Sequence, residues 1–123
     1  MSWLPTSIGT RAETQAQRFL KQQGLTILGK NKRYKCGEID LIAMDADTTI
    51  FVEVKYRKNA DFGAATEMVS TAKQTKIGRA AKLWLLEEAP QFSRACRFDV
   101  IAIQGAQADD IHWLKNAFSP ELW

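Results

Sequence analysis

The segment GEIDLIAMDADTTIFVEVK, residues 37–55, decides the fold of this chain. It contains two runs rich in β-branched and large apolar residues, separated by the short polar sequence DADT at residues 45–48. This pattern predicts a β-hairpin that turns at residues 45–48. Both strands also carry charges among their apolar residues, which is costly unless the charges are paired or bind a metal. The hairpin is therefore the first place to look for a functional site.

Side chains alternate across each strand of this hairpin, because successive residues of a β-strand point to opposite faces. The second strand has an apolar face with Ile50, Val52, Val54 and Tyr56, and a mixed face with Phe51, Glu53, Lys55 and Arg57. On the first strand, Ile39 and Leu41 share one face and Asp40 lies on the other. Antiparallel pairing around residues 45–48 would place Asp40 near the level of Glu53 and Lys55.

Helical periodicity is found on both sides of the hairpin. Apolar residues recur at helical spacing from Ala12 to Leu20, which predicts an amphipathic helix over residues 7–23 that Gly24 ends. A second helix is predicted over residues 71–88, with Ser70 as its N-cap.

Three further segments complete the chain. LTILGKNKRYK (residues 25–35) predicts a short strand with a basic turn or edge, and CRFDVIAIQ (residues 96–104) predicts another strand. IHWLKNAF (residues 111–118) is either one more strand or a packed tail. The predicted order is helix, three strands, helix, strand, which implies an α/β domain. One domain then spans all 123 residues, with a core at about residues 7–104 and a C-terminal tail at about residues 105–123.

The strand at residues 96–104 also carries charges. Arg97 and Asp99 alternate with Phe98 and Val100, which is the pattern of a half-exposed strand. On this pattern we assign neither charged residue a catalytic role.

Composition narrows the class of protein. Apolar residues make up 46% of the chain and charged residues 25%, as in ordinary globular domains. The sequence contains no run of the roughly 18 apolar residues that span a bilayer, and its first residues do not resemble a signal peptide. Cys36 and Cys96 have neither a metal-like nor a redox-like spacing. We therefore expect a cytoplasmic protein with reduced thiols and no membrane partner.

Basic residues are clustered although the net charge is only +3. The clusters that we predict to bind nucleic acid contain Lys30, Lys32, Arg33, Lys35, Arg57, Lys58, Lys73 and Lys76. Such clusters are compatible with a polyanionic partner, because binding depends on the local field rather than on net charge. The alternative for each cluster taken alone is an ordinary solvated face.

The hairpin charges suit the chemistry of a hard divalent cation. Mg²⁺ binds through one or two carboxylates, here Asp40 and Glu53, and lowers the pKa of a water that can attack a phosphate. A lysine such as Lys55 can position that water or stabilise charge on phosphoryl oxygens. The alternative is a cross-strand ion pair on an exposed sheet, which stabilises by only a few tenths of a kcal/mol. From this pattern alone, the ion pair is the favoured interpretation.

Two features of the helices favour a functional site over an ordinary ion pair. Glu13 lies at the edge of the apolar stripe of the first helix, although an acid there also interacts favourably with the helix dipole. The second helix has Lys73 and Lys76 in its early turns and Glu87 and Glu88 at its end, against its own dipole. This arrangement favours a positive helix end directed at phosphates, and the alternative is that Glu67 and other local acids compensate the charge.

These residues belong to a longer string that resembles a known family. GEIDLIAMD, FVEVKYRK, FGAA, a lysine at position 73 and RFDVIAI occur in the order seen in the YraN-type family of small, uncharacterised bacterial proteins. The resemblance runs from about Gly9 to Ile103. That family is similar to the restriction-endonuclease-like superfamily, and especially to archaeal Holliday-junction resolvases. The resemblance implies a central mixed sheet flanked by helices and a phosphodiesterase centre that uses Mg²⁺ or Mn²⁺, and it allows a homodimer.

The resemblance also implies roles for individual residues. Asp40 and Glu53 would be the metal-binding acids, and Lys55 would be the catalytic lysine. Glu13 would match the acid that the resolvases contribute from their first helix, and Lys73 a polar helix position near the site. The chain departs from the family at Ala12, where glycine is common.

Three functions follow as hypotheses. The first is a metal-dependent nuclease that acts on DNA, including branched or damaged DNA, with the clustered bases on the phosphate backbone. The second is a nucleic-acid-binding module that retains the fold and the site without cutting. The third is a protein-interaction domain whose acidic patch recruits a basic partner. The acid–acid–lysine set favours the first.

Overall fold

Two helices and five strands make up the fold. This computed structural model of the protein describes residues 7–57, 69–88, 95–105, 110–120 and 123. The elements are α1 (Ser7–Gln22), β1 (Thr26–Tyr34), β2 (Gly37–Asp45), β3 (Thr48–Arg57), α2 (Thr71–Glu88), β4 (Cys96–Gln104) and β5 (Asp110–Phe118). The predicted order is confirmed and extended by one strand, because the segment predicted as a strand or packed tail forms β5. No helix in the described part is long and apolar enough to cross a membrane.

The five strands form one open, mixed sheet in the order β1-β2-β3-β4-β5. Neighbouring strands are antiparallel except β3 and β4, which are parallel. Parallel strands need a crossover connection, and α2 lies in the segment that joins these two. The prediction of an α/β domain with a central mixed sheet flanked by helices is therefore confirmed.

Each helix covers one face of the sheet. Under α1, the core contains Ala12, Ala16, Leu20, Leu41, Ile50, Val52, Ile101 and Ile103. Under α2, the core contains Ile77, Ala80, Ala81, Trp84, Ile42, Phe51, Phe98 and Val100. Because the sheet residues of the two cores alternate along β3 and β4, the central strands are buried on both faces.

Strand β2 breaks this alternation at Asp40. Its ladder with β3 ends at the pair Leu41 and Val52. Beyond that pair, the Val54 N–H donates a hydrogen bond of 2.8 Å to Asp40 Oδ2, so a carboxylate replaces a backbone acceptor. Ile39 consequently packs in the core under α2, whereas Leu41 packs under α1. The prediction that Ile39 and Leu41 share a face is wrong, because the alternation of side chains along β2 is interrupted at Asp40.

The N-terminal half of α2 is fastened at two points. Ser70 Oγ accepts a hydrogen bond of 3.1 Å from the Lys73 N–H, as predicted for an N-cap. Gly37 lies so close to α2 that a Cβ built on it would be 2.5 Å from the carbonyl oxygen of Lys76. Only a residue without a side chain permits this approach, which brings the first turns of α2 over the start of β2.

A bulge between β4 and β5 surrounds a fully buried acid. The register of the two strands shifts between Phe98 and Val100, and Asn116 in β5 has a φ of 52°. Asp99, 0% exposed, accepts hydrogen bonds from the Asn116 N–H at 2.8 Å, from the Trp113 indole at 2.9 Å and from Arg97 Nε at 3.0 Å. The expectation of a half-exposed strand is wrong for Asp99, because β5 covers it.

Candidate active site

A cleft of about 670 Å³ opens where the start of β2, the second half of β3 and the first turns of α2 meet. All four residues predicted as catalytic line it: Glu13, Asp40, Glu53 and Lys55. Four of the residues predicted to bind nucleic acid line it as well: Arg33, Lys35, Lys73 and Lys76. Residues from α1, the β2–β3 hairpin and α2 are thus brought together in one place.

Glu53 is the buried centre of the cleft. Its side chain is only 4% exposed, and its Oε2 lies 2.5 Å from Lys73 Nζ and 3.6 Å from Lys55 Nζ. A buried carboxylate of this kind requires paired charges, and two ammonium groups supply them. The contact with Lys73 joins β3 to α2 across the mouth of the cleft.

Asp40 faces Glu53 from the neighbouring strand. Burial, followed by the negative charge of Glu53, raises the pKa of Asp40 to about 7, against the hydrogen bond from Val54. The same hydrogen bond holds one carboxylate oxygen in place. Two acids that repel each other in a partly dry cleft are a common feature of functional sites.

Glu13 reaches the cleft from α1. Burial raises the pKa of Glu13, although a hydrogen bond from the Asn31 side chain acts in the opposite direction. Asn31 has a φ of 50°, a conformation that asparagine tolerates better than most residues. Asn31 is not among the site residues predicted from the sequence. Its position between Lys30 and Lys32 in a strand could have indicated a special role, since asparagine is disfavoured in strands.

The two lysines at Glu53 differ in their surroundings. Burial lowers the pKa of Lys55, and the ammonium group of Lys73 lowers it further. Burial also acts to lower the pKa of Lys73, but the hydrogen bond and the charge of Glu53 outweigh it and raise the pKa. Lys73 is therefore the cation held most firmly by Glu53.

The oxygen atoms of Asp40 and Glu53 suit a hard divalent cation. Mg²⁺ and similar ions are commonly held by one or two carboxylates together with water. Burial and then Glu53 raise the pKa of Asp40 and so disfavour its ionised form, which a cation bound at this carboxylate would favour. Within the described ranges no cluster of three or more histidine, cysteine or acidic side chains could hold a metal. A cation here would rest on these two carboxylates.

The other predicted nucleic-acid-binding residues lie elsewhere. Lys32 Nζ is 3.8 Å from Glu88 Oε1, and Lys30 borders two smaller grooves beside α1. Arg57 is exposed at the end of β3, and Lys58 lies outside the described residues. Lys82, further along α2, does not line the cleft either, and its Nζ lies 5.7 Å from the ring centre of Trp123.

Comparison with known proteins gives one consistent result. A family model described as "Uncharacterised protein family UPF0102" matches residues 12–103. A UPF0102 protein of Pseudomonas putida strain F1 is 48% identical over 116 residues, which cover 93% of this chain and 94% of that protein. A UPF0102 protein of Vibrio parahaemolyticus is 47% identical over 112 residues, with 91% and 92% covered. Similarity thus extends over nearly the full length of both relatives.

Proposed function

Because this chain belongs to the uncharacterised protein family UPF0102, whose name states no activity, we propose from its cleft that it is a metal-dependent nuclease that hydrolyses DNA phosphodiesters. UPF0102 is the YraN family, so the resemblance recognised from the motifs is confirmed. The observation that carries the proposal is the meeting of Asp40, Glu53 and Lys55 in one cleft rimmed by basic residues.

Asp40 and Glu53 are the residues that would hold Mg²⁺ or Mn²⁺. When bound, such an ion supplies a water of lowered pKa and polarises the phosphoryl group. Asp40 is prepared for this role, because the Val54 N–H fixes one of its oxygens. Glu53 is prepared by burial, which restricts the orientation of its carboxylate.

The lysines of the cleft act on the phosphate. Lys55, whose side chain is 24% exposed, presents an ammonium group beside Glu53, where it can donate to an attacking water or to a phosphoryl oxygen. A donor placed in advance at the point where negative charge develops stabilises the transition state. Glu13, with its raised pKa, adds a third carboxylate at the α1 side of the cleft.

The rim of the cleft suits a polyanion. Arg33, Lys35 and Lys76 line it and are exposed, so they can contact phosphates on either side of the bond to be cut. Such contacts release counterions from DNA and make binding weaken steeply as salt rises. DNA, including branched DNA as in the resolvases that the family resembles, is the proposed substrate.

A cleavage assay tests the proposal. Purified protein is incubated with Mg²⁺ or Mn²⁺ and single-stranded, duplex or four-way-junction DNA, alongside Asp40→Asn and Lys55→Ala. The matched controls are Asp47→Asn in the exposed β2–β3 turn and Lys21→Ala in the exposed last turn of α1. We expect cleavage that requires metal and is lost only in the two cleft variants. Cleavage that persists in both cleft variants would refute the proposed site.

A non-cutting nucleic-acid-binding module is the second candidate. The observation that favours it is the contact of Glu53 with two lysines, which already neutralises the carboxylate. Folded protein that binds each DNA and cuts none, with binding unchanged by Asp40→Asn, would support this candidate over the nuclease.

A further inference from the structure

Lys73 combines a firm ion pair with freedom to leave it. Its ammonium group contacts Glu53, which is 4% exposed, whereas its own side chain is 42% exposed. The backbone of Lys73 is held at the start of α2 by the N-cap Ser70. The long, flexible side chain can therefore change partners at the open side of the cleft while the helix stays in place.

The charges at the centre of the cleft balance without any ligand. Asp40 and Glu53 contribute two negative charges when ionised, and Lys55 and Lys73 contribute two positive charges. A divalent cation on the carboxylates would add two further positive charges within a few ångströms of both ammonium groups. The cation and the ammonium groups would repel each other strongly at this short range, because the site is partly dry. One lysine would therefore have to move away.

Lys73 is better placed to move than Lys55. Lys55 lies on the same strand as Glu53 and is 24% exposed, while Lys73 enters from α2 and is 42% exposed. Lys76, one turn further along α2, lines the same cleft, as do Arg33 and Lys35. A lysine that leaves Glu53 on this side meets the surface where a phosphate would lie.

From this arrangement we infer that Lys73 exchanges Glu53 for a substrate phosphate, so that the divalent cation and the nucleic acid bind cooperatively. The inference rests on the proposed function and names the residue that regulates the same site. In the absence of nucleic acid, Lys73 competes with the cation for Glu53. A phosphate gives Lys73 a new partner, which frees the carboxylate for the cation.

Binding of Mn²⁺ tests the inference without any measurement of cleavage. The affinity for Mn²⁺ is measured by electron paramagnetic resonance at pH 8 for the wild type, Lys73→Met and Lys76→Met. Lys76→Met is the matched control, because it removes the same charge from the same cleft but leaves the Lys73–Glu53 pair intact. Each protein is measured alone and with a phosphorothioate duplex whose integrity is checked on a gel.

The expected result is specific to Lys73. Without DNA, Lys73→Met binds Mn²⁺ at least about tenfold more tightly than the wild type, and Lys76→Met gains less than about threefold. With DNA, the wild type gains at least about tenfold in Mn²⁺ affinity, and Lys73→Met gains much less. Linkage requires Mn²⁺ to tighten DNA binding by the same factor, which a filter-binding titration checks. Lys73→Gln should behave like Lys73→Met.

Two other outcomes are distinguishable. Mn²⁺ binding that is measurable and equally tight in the wild type and both Lys73 variants would overturn the exchange and leave the proposed nuclease intact. Equal gains in Lys73→Met and Lys76→Met would also overturn it, because the effect would then be one of general charge. Absence of Mn²⁺ binding at millimolar concentration in every folded variant, with and without DNA, would overturn the proposed metal-dependent function and the inference with it.

Discussion

Glu53 on β3 and Asp99 on β4 are two buried carboxylates on adjacent strands, and they differ in how their charge is met. In the parallel register, Val52 pairs with Asp99 and Glu53 pairs with Val100, so the acids are one step apart and on opposite faces of the sheet. Asp99 accepts hydrogen bonds from a guanidinium group, an indole and a backbone N–H. Glu53 has two flexible lysines and a second acid, Asp40, as neighbours.

The difference separates a structural charge from a functional one. The donors around Asp99 come from its own strand and from β5, and they hold the bulge at Asn116 in place. Around Glu53, the repulsion from its negative charge helps to raise the pKa of Asp40, and both paired lysines are partly exposed. A buried acid with rigid partners stabilises the fold, whereas one with mobile partners and a like-charged neighbour can bind a ligand.

The largest expected effect concerns Asp99. Asp99→Ala should lower the free energy of unfolding by about 3–5 kcal/mol, because it removes the buried acceptor of the partly buried Arg97 guanidinium, the Trp113 indole and the Asn116 N–H. Urea unfolding measures the loss. Asp99→Asn retains one acceptor oxygen and should lose less. A loss below about 1 kcal/mol for Asp99→Ala would contradict the structural role assigned to Asp99 in contrast to Glu53.

Glu53→Gln should reduce activity and retain the fold, the opposite of what is expected for Asp99→Ala. We expect the single-turnover rate of DNA cleavage to fall by about 10²–10³-fold, the scale typical for removal of one electrostatic group from an active site. The fold should be retained, because glutamine fills the same volume. Glu87→Gln, at the exposed end of α2, is the matched control. Unfolding of Glu53→Gln under conditions where Asp99→Asn stays folded would reverse the roles assigned to the two acids.

Gly37→Ala tests whether the cleft depends on close packing of α2. The added Cβ would lie 2.5 Å from the Lys76 carbonyl oxygen, and overpacking of this kind costs about 1–3 kcal/mol in unfolding free energy. Gly29→Ala is the control, because its Cβ would meet the flexible end of the Lys32 side chain. Differential scanning calorimetry compares the two. Equal stability in both variants would mean that α2 can shift without cost.

The last expected effect is a dependence of stability on pH in metal-free protein. The pKa of Asp40 is raised from 3.8 to about 7, mainly by burial and then by Glu53. The unfolded chain therefore releases this proton at lower pH than the folded protein. The stability that the protonated carboxyl contributes is fully present below about pH 4 and is lost as pH rises through about 7.

Urea unfolding in EDTA from pH 4 to 8 measures this contribution. The stability of the wild type minus that of Asp40→Asn should decrease over this range, because the asparagine does not titrate. Asp47→Asn in the exposed turn serves as the control. A difference that increases with pH would show that Asp40 is stabilised as an anion, as a paired structural acid would be.

Most of the fold follows from short periodicities in the sequence. The turn at residues 45–48, the helix bounds at residues 71–88 and the two faces of β3 were predicted from patterns of two and 3.6 residues. The proximity of Asp40 and Glu53 also followed, because a hairpin of known turn has a defined register. These features depend on residues close together in the chain.

Other features were decided by tertiary structure alone. Arg97 and Asp99 have the alternation of an exposed strand, yet β5 covers Asp99 from residues that lie 14 and 17 positions later. The interrupted alternation of β2 at Asp40 and the hydrogen bond from Asn31 to Glu13 likewise depend on partners in other elements. The sequence by itself determined which residues could form a site and on which elements they lie. Beyond the hairpin pair, only packing of α1, α2 and β5 on the sheet decided which charges meet, because burial and pairing there arise from contacts between distant segments.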